Sequence, residues 1–467
     1  MEKINNDKLT FRAKLGYSSA SIGDAVAYML VTTFIMFFLT TVAGLQPAVA
    51  GTLTAIGTVW DAVFNPIIGY LSDHARTRWG RRRPFMIGAC LPLIATMVLL
   101  FSSFNVSYGV KVLYYGIMIV AFWTGFTGFF VPYYALGAEY TKDYEERTTL
   151  RAYASFLNMI GTLFSMVLPT LMVEVFENHG LSTPRAWQFT AFILGAISVI
   201  SIIITGFAAK EIDVCEPEDG DDEEEKVNVI GMFREYLQVL SLGPMRILLC
   251  VSLFYLLAYA ILMSDFVYVL TYNLGFDGTG VSMGMLLRSV IIIAFIPPIL
   301  KLCEKTDKRL AMMYIIAGGI VGLLILRFLP FGSMPVTVLF ILVTAITTQT
   351  YWQIIPAIFY DVCEYDEYKT GNRREGAILA VQGLVEAIAS GLGTQILGII
   401  LQFAGFNGSA TVQSQETLDW ILNCTTWIPV IFLIAAGVAV YKFPITKQVY
   451  EDIVRELSER KKTNGTD

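Results

Sequence analysis

Apolar runs of 20 or more residues recur along the whole chain, separated by short polar intervals. Each run is long enough to cross a hydrocarbon core of roughly 30 Å as a helix. The runs do not alternate apolar with polar residues, as the strands of a membrane barrel would. They fall at 17–43, 47–72, 84–104, 110–138, 149–175 and 186–209, and after a longer polar interval at 246–273, 279–302, 309–331, 335–362, 375–404 and 418–442. The pattern predicts an all-α membrane protein of 12 transmembrane helices in two six-helix bundles. The expected units are an N-terminal bundle over 1–209, a cytoplasmic linker over 210–245, and a C-terminal bundle with a short tail over 246–467. In the linker, EPEDGDDEEE (216–225) reads as a solvated acidic run. VIGMFREYLQVL (229–240) has the spacing of an amphipathic helix lying on the membrane surface.

Composition agrees with the pattern. Of the 467 residues 55% are hydrophobic and only 15% charged, where a soluble domain carries about a quarter. The placement of charge says more than its sum of −6. With the N-terminus in the cytoplasm, all of the 33 lysines and arginines but Lys111, Arg185, Arg327 and the in-span Arg288 fall on the cytoplasmic side. That asymmetry predicts that both termini are cytoplasmic. The polar N-terminus leads into a full-length span, so no cleavable signal peptide is expected. Six cysteines without a CxxC pair, and only His74 and His179, give no metal or haem spacing. No metal and no organic cofactor are therefore expected.

Six spans, a linker and six more spans match the paired repeats of secondary transporters, which hold substrate near the midplane between halves. An internal echo supports the pairing: span 2 leads into GYLSDHARTRWGRRRP and its counterpart, span 8, into PPILKLCEKTDKR. There is no GxxxxGK[ST] phosphate loop, no TVGYG filter and no regular arginine ladder. Transport driven by a gradient remains, and neither enzymatic chemistry nor nucleic-acid binding is expected. The partners expected are a small-molecule substrate, a coupling cation and the lipid bilayer, and a monomer suffices.

A charge at bilayer depth costs roughly 2.5–3.5 kcal/mol, so each one needs a reason. Asp24 (SIGDAVAY) lies about two turns into span 1, and Asp61 near the middle of span 2. Asn65 is four residues after Asp61 and shares its helix face. Thr127 in span 4 adds a hydroxyl if spans 2 and 4 touch. Carboxylates and neutral oxygens in one bundle suit a hard cation or a proton. In the second half, Asp265 and Arg288 have similar depths, and a structural ion pair between spans 7 and 8 is the favoured reading. Glu386 (GLVEAIASG) has no partner evident in the sequence. Aromatic and amide side chains cluster in TTQTYWQIIP, where Trp352 with Gln349 and Gln353 offers a stacking face and hydrogen bonds for a hydroxylated ring. Gly125, Gly128, Gly391 and Gly393 are expected to allow close helix packing.

WDAVFNPIIGYLSD followed by RTRWGRRRPF resembles the second-span signature of the glycoside–pentoside–hexuronide:cation symporters, the melibiose-permease branch of the major facilitator superfamily. Gly23–Asp24 fits that family's first span. VPYYALGAEYTKDYEERTTL resembles its span 4 and loop 4–5, and IFYDVCEYDEYKTGNRREG its loop 10–11. The resemblance implies the major facilitator fold, inward sugar transport with Na⁺, Li⁺ or H⁺ by alternating access, and a bacterial inner-membrane location. It implies Asp61 and Thr127 as cation ligands and Asp24 as a carboxylate bonding sugar hydroxyls. Tyr134, Trp352 and Gln382 match sugar-site positions. Asp73, Arg81, Arg82, Arg83 and Arg374 fall in the loop motifs, read as conformational elements.

The departures shape the expectation further. Asn65 stands where the family usually has a second span-2 carboxylate, and Phe64 replaces an Asn ligand. Phe130 replaces a sugar-site Asp, and Ala387 beside Glu386 replaces a span 11 Lys. A span 5 Arg is missing, with only Arg151 nearby toward the cytoplasmic end. One carboxylate with neutral neighbours makes a poor Na⁺ site, while a lone carboxylate in apolar surroundings takes up a proton readily. H⁺ coupling, or no strict coupling, is therefore favoured over Na⁺. Phe64 and Phe130 also support an alternative in which the substrate is an amphiphile such as a lysolipid or a steroid-like compound.

Overall fold

A computed structural model describes residues 9–75, 77, 79–140, 144–208, 236–371, 374–410 and 412–464. Among these, twelve helices are long and apolar enough to cross a membrane. They are span 1 (Phe11–Thr41), span 2 (Pro47–His74), span 3 (Arg83–Leu100), span 4 (Tyr108–Gly137), span 5 (Glu146–Asn178) and span 6 (Thr183–Ala208), then span 7 (Gly243–Asn273), span 8 (Gly278–Lys305), span 9 (Lys308–Phe328), span 10 (Met334–Thr370), span 11 (Glu375–Phe403) and span 12 (Gln415–Lys442). No β-strand occurs among the described residues. The acidic run 216–225 and most of the proposed amphipathic helix lie outside the described residues; helix is present over 236–241.

The chain divides into two compact units. The first comprises Met1–Gly220 with Phe276–Leu286 and Phe406–Val412; the second comprises Asp221–Gly275, Leu287–Gly405 and Gln413–Asp467. In the first, span 1 packs on spans 5 and 6, span 3 on spans 4 and 6, and span 2 on span 4. In the second, span 7 packs on spans 11 and 12, and span 9 on spans 10 and 12. The pairs 1–5, 1–6, 3–4 and 3–6 thus recur as 7–11, 7–12, 9–10 and 9–12, which is the geometric form of the faint repeat in the sequence.

Within lipid, backbone groups freed by a helix break must find partners inside the protein. Span 1 breaks after Ser18 and resumes at Ala20. Thr205 of span 6 accepts from the Ala20 N–H at 2.8 Å and donates to the Gly16 carbonyl at 2.8 Å, which satisfies the break. Two glycines hold the neighbours close at the depth of Asp24. A Cβ on Gly161 would stand 2.6 Å from the Ile22 carbonyl oxygen, and one on Gly23 would stand 2.6 Å from that of Ser198. Gly393 brings span 11 onto span 7 in the same way, 2.6 Å from the Ala260 Cβ. Gly125 and Gly128, by contrast, leave ordinary contact distances of 3.5 and 3.7 Å, so packing does not demand glycine there.

Span 10 runs eight residues past its expected end, through CEYDEYKT, and stops at Gly371, whose φ of 73° suits a left-handed cap. Span 7 ends in a five-residue π turn, Val269–Asn273. Span 12 breaks at Thr426. The expected short tail contains an 18-residue helix, Lys447–Asn464, which docks on span 10 through Arg460 and the Tyr368 carbonyl at 3.1 Å.

Candidate functional site

Polar groups meet within the spans of each unit. In the first, the Thr127 hydroxyl of span 4 donates to Asp61 Oδ1 of span 2 at 2.6 Å. Asn65, one turn further along span 2, bonds the same carboxylate through its side chain, and its own Oδ1 is buried without a partner. Asp61, Thr127 and Asn65 therefore form one oxygen-rich group, containing one carboxylate and two neutral side chains. Trp60 and Phe64 stack at 5.6 Å beside it, and the Trp60 indole N–H reaches the Thr124 hydroxyl at 2.9 Å.

Asp24 is buried in the same unit, and its Oδ2 accepts from the Asn158 amide at 3.1 Å. Asn158 of span 5 was not anticipated. It lies seven residues from both Arg151 and Ser165, so these side chains share the helix face turned toward span 1. Ser165 donates to the Val26 carbonyl at 2.9 Å from that face. A polar heptad in an otherwise apolar span was the available signal. Arg151 lies 4.8 Å from the centre of the Tyr134 ring, a cation–π distance. Tyr134 in turn packs on Phe130 at 4.5 Å, and Phe130 on Phe126 at 5.5 Å. Phe130, read from the sequence as replacing a sugar-site Asp, is thus one course in an aromatic wall along span 4.

In the second unit, Glu386 is far from unpaired. Its Oε1 accepts from the Tyr351 hydroxyl at 2.9 Å and from the Gln382 amide at 2.7 Å. Trp352 crosses Tyr351 edge-on at 5.2 Å and Tyr259 at 5.9 Å. Gln382, Glu386, Tyr351, Trp352 and Tyr259 therefore form one patch with an aromatic face and a carboxylate. Gln349, half-buried, lies one turn from Gln353 along span 10. Gln353 lies apart from Trp352, lining a cavity of about 430 Å³ with Lys308, Asp361 and Tyr450. The 100° step between residues 352 and 353 sends the two side chains different ways.

The expected ion pair between Asp265 and Arg288 does not form. Asp265 Oδ2 accepts from the Thr425 hydroxyl of span 12 at 2.5 Å, and its Oδ1 has no partner. Arg288 donates through Nη2 to the Thr348 hydroxyl at 2.8 Å and sits 5.1 Å from the Phe266 ring centre. Similar depth on adjacent spans does not make two side chains face one another; that depends on the rotation of each helix.

The loop motifs behave as ionic clamps. Arg82 bonds Asp73 at 2.9 Å across the 2–3 turn. Arg81 precedes span 3 and Arg83 begins it. In the 10–11 motif, Arg374 grips the fully buried Asp366 through Nε at 2.9 Å and Nη2 at 2.5 Å. Arg76, Arg78, Asn372 and Arg373 lie outside the described residues.

Comparison with known proteins agrees with this architecture. The family model for MFS/sugar transport proteins matches residues 16–447. An uncharacterized symporter of Bacillus subtilis, YnaJ, is 28% identical over 464 residues, covering 98% of this chain and 97% of that protein. The isoprimeverose transporter of Lactiplantibacillus pentosus is 25% identical, covering 95% and 91%. Among solved structures, the nucleoside transporter NupG superposes with a TM-score of 0.68 at 14% identity, over 92% of this chain and 100% of that one, a likeness of fold. The chain is a multi-pass membrane transporter and not an enzyme, and it belongs to the MFS/sugar transport family, among the glycoside–pentoside–hexuronide:cation symporters.

Proposed function

We propose that the protein is a secondary active transporter that couples inward movement of a sugar or glycoside to a cation by alternating access, with H⁺ favoured over Na⁺. The observation that carries this reading is the Asp61–Thr127 hydrogen bond at 2.6 Å, with the partnerless Asn65 oxygen beside it. It supports a single carboxylate, Asp61, as the coupling group. Thr127 and Asn65 both turn donors toward that carboxylate, which suits an acid that gains and loses a proton. A hard metal ion instead needs several oxygens turned inward with their lone pairs free.

Within the first unit Asp24 with Asn158 offers polar groups for sugar hydroxyls and Tyr134 a ring face; within the second, Gln382 with Glu386 and Trp352 offer the same. These paired polar groups favour a hydroxylated substrate over the amphiphile considered from Phe64 and Phe130. An aromatic wall that includes Phe130 serves ring stacking as well as it would serve a lipid. Working as a monomer with both termini cytoplasmic, in a bacterial inner membrane, completes the proposal. The test is uptake of labelled glycosides and lysolipids into proteoliposomes under a pH gradient, a Na⁺ gradient or neither. Glycoside accumulation under the pH gradient alone supports the reading; accumulation that needs Na⁺, or flux of lysolipid only, refutes it.

A further inference from the structure

Spans 3 and 4 do not close on one another along the whole of their shared length. A hollow of about 500 Å³ lies between them, lined by Gly88, Pro92 and Thr96 of span 3 and by Thr124, Gly125 and Gly128 of span 4. Packing does not ask for these glycines. Gly125 and Gly128 stand at ordinary contact distances, and a Cβ on Gly88 would meet nothing within 4 Å. What the three glycines provide is the hollow itself. Its hydroxyls are engaged by their own helices, Thr96 donating to the Pro92 carbonyl at 2.7 Å and Thr124 to the Val120 carbonyl at 2.8 Å, so the lining is apolar. Gly88 and Pro92 are exposed, and Leu91 beside them is 75% exposed. The hollow therefore opens to the outside, where the surface of a membrane span meets lipid.

The hollow has the depth of one leaflet. From Pro84 at its near end to Thr96 the helix rises about 18 Å, against about 15 Å for half of a bilayer's hydrocarbon core. The turn that leads into Pro84 is basic: after Asp73 it has five arginines and no further carboxylate. Trp79 of the same turn is 56% exposed, and tryptophan is enriched at the level of lipid headgroups. An apolar hollow as deep as one leaflet thus ends at a cationic turn that carries an interfacial aromatic residue.

We propose that the hollow is a lipid site, which seats one acyl chain of an anionic phospholipid with its headgroup against the arginine turn. The inference does not depend on which solute or cation the protein carries. A neutral phospholipid fits the hollow and leaves the turn unmatched; a soluble phosphate fits the turn and leaves the hollow empty. Thr124, inside the hollow, also takes the Trp60 indole N–H, so a seated chain touches a residue that ties span 4 to span 2. The lipid braces spans 2, 3 and 4 together, and its binding to the folded state is read as a rise in melting temperature.

The experiment titrates the full-length protein, delipidated in detergent, with dioleoyl phosphatidylglycerol, dioleoyl phosphatidylcholine or glycerol phosphate, and follows the melting temperature. The two lipids share their chains and differ in headgroup charge; glycerol phosphate has the anion without the chains. One basic side chain near an anionic surface is worth about a fivefold preference. The wild-type midpoint should therefore be lower for phosphatidylglycerol than for phosphatidylcholine by that factor or more, with no response to glycerol phosphate. Gly88→Phe sends a ring into the hollow from a position whose Cβ meets nothing. Displacing even two methylenes of the chain should raise the phosphatidylglycerol midpoint about tenfold. Should the Phe variant not fold, Gly88→Leu and the wild-type preference still decide. Equal midpoints for the two lipids overturn the inference by removing the charge preference. A Gly88→Phe response like that of wild type overturns it by leaving the arginines alone at work, without the hollow. A response to glycerol phosphate as large as that to the lipid overturns it in favour of a plain anion site. Melting that responds to protein concentration and to neither lipid overturns it by giving the hollow to a second copy of the chain.

Discussion

The structure presents one carboxylate at the span 2–span 4 group, and the number sets what a gradient can do. A carrier that moves one proton with each substrate can, at equilibrium, convert one unit of pH difference into a tenfold concentration ratio, since that unit is worth about 1.4 kcal/mol. Two coupled protons would give about a hundredfold. Asp61→Asn keeps the size of the side chain and an oxygen to accept from Thr127 Oγ1, so packing between spans 2 and 4 should survive. It removes the only ionisable group of the trio formed with Asn65 and Thr127. In proteoliposomes with a one-unit inward pH gradient, wild type should accumulate substrate about tenfold. Asp61→Asn should equilibrate to a ratio near one, while exchange of labelled for unlabelled substrate continues. Asp24→Asn, altering the carboxylate bonded to Asn158, should weaken binding without changing the ratio reached at saturation. Tenfold accumulation in Asp61→Asn would refute the assignment, and a hundredfold in wild type would refute the single-proton count.

Other consequences are checked as simply. Glu386→Gln removes the charge that both the Tyr351 hydroxyl and the Gln382 amide address; a hydrogen bond to a charged group is worth roughly 1 kcal/mol more than a neutral one, so the variant should lose about 1–2 kcal/mol of stability, seen as a lowered melting temperature in detergent, and should bind the sugar more weakly in uptake assays. Gly161→Val must push a side chain against the Ile22 backbone carbonyl 2.6 Å away, and overpacking of this kind costs about 1–3 kcal/mol, seen as a lowered melting temperature in detergent. Arg374→Ala strips the fully buried Asp366 of its bidentate partner; breaking such a pair costs about 3–5 kcal/mol. Pairing it with Asp366→Asn should restore much of the loss in the same melting assay.

Twelve apolar runs made the spans legible because length and hydropathy alone decide what a bilayer accepts. Span ends were less so. Span 10 carries Asp361, Glu364, Asp366, Glu367 and Lys369 in its last turns, and a hydropathy reading stops where those charges begin. The helix continues with its charges matched: Lys308 of span 9 pairs with Asp361, and Arg374 from the turn just beyond the helix pairs with Asp366. The C-terminal helix escaped for a related reason: its apolar positions are few, among them the buried Ile453, and they gain meaning only once span 10 is there to receive them.

At the candidate site, the sequence reading worked where a helix brings its own residues together and failed where rotation between helices decides. Asp61 and Asn65 lie one turn apart on one helix, and Thr127 meets them because spans 2 and 4 pack. Glu386 looked solitary because one of its two donors, Tyr351, belongs to another span. Asp265 and Arg288 looked paired because depth can be counted along a chain while azimuth cannot. Asn158 went unnoticed as a single polar residue, although its heptad relation to Arg151 and Ser165 marks the face that reaches span 1. The same difference bears on what the two units hold. Asp61 is one carboxylate already surrounded by donors from its own unit, as a proton carrier should be. Arg288, deep in the other unit, bonds the Thr348 hydroxyl and faces the Phe266 ring rather than Asp265, an outcome that the rotation of the helices decides and the count of residues along the chain does not.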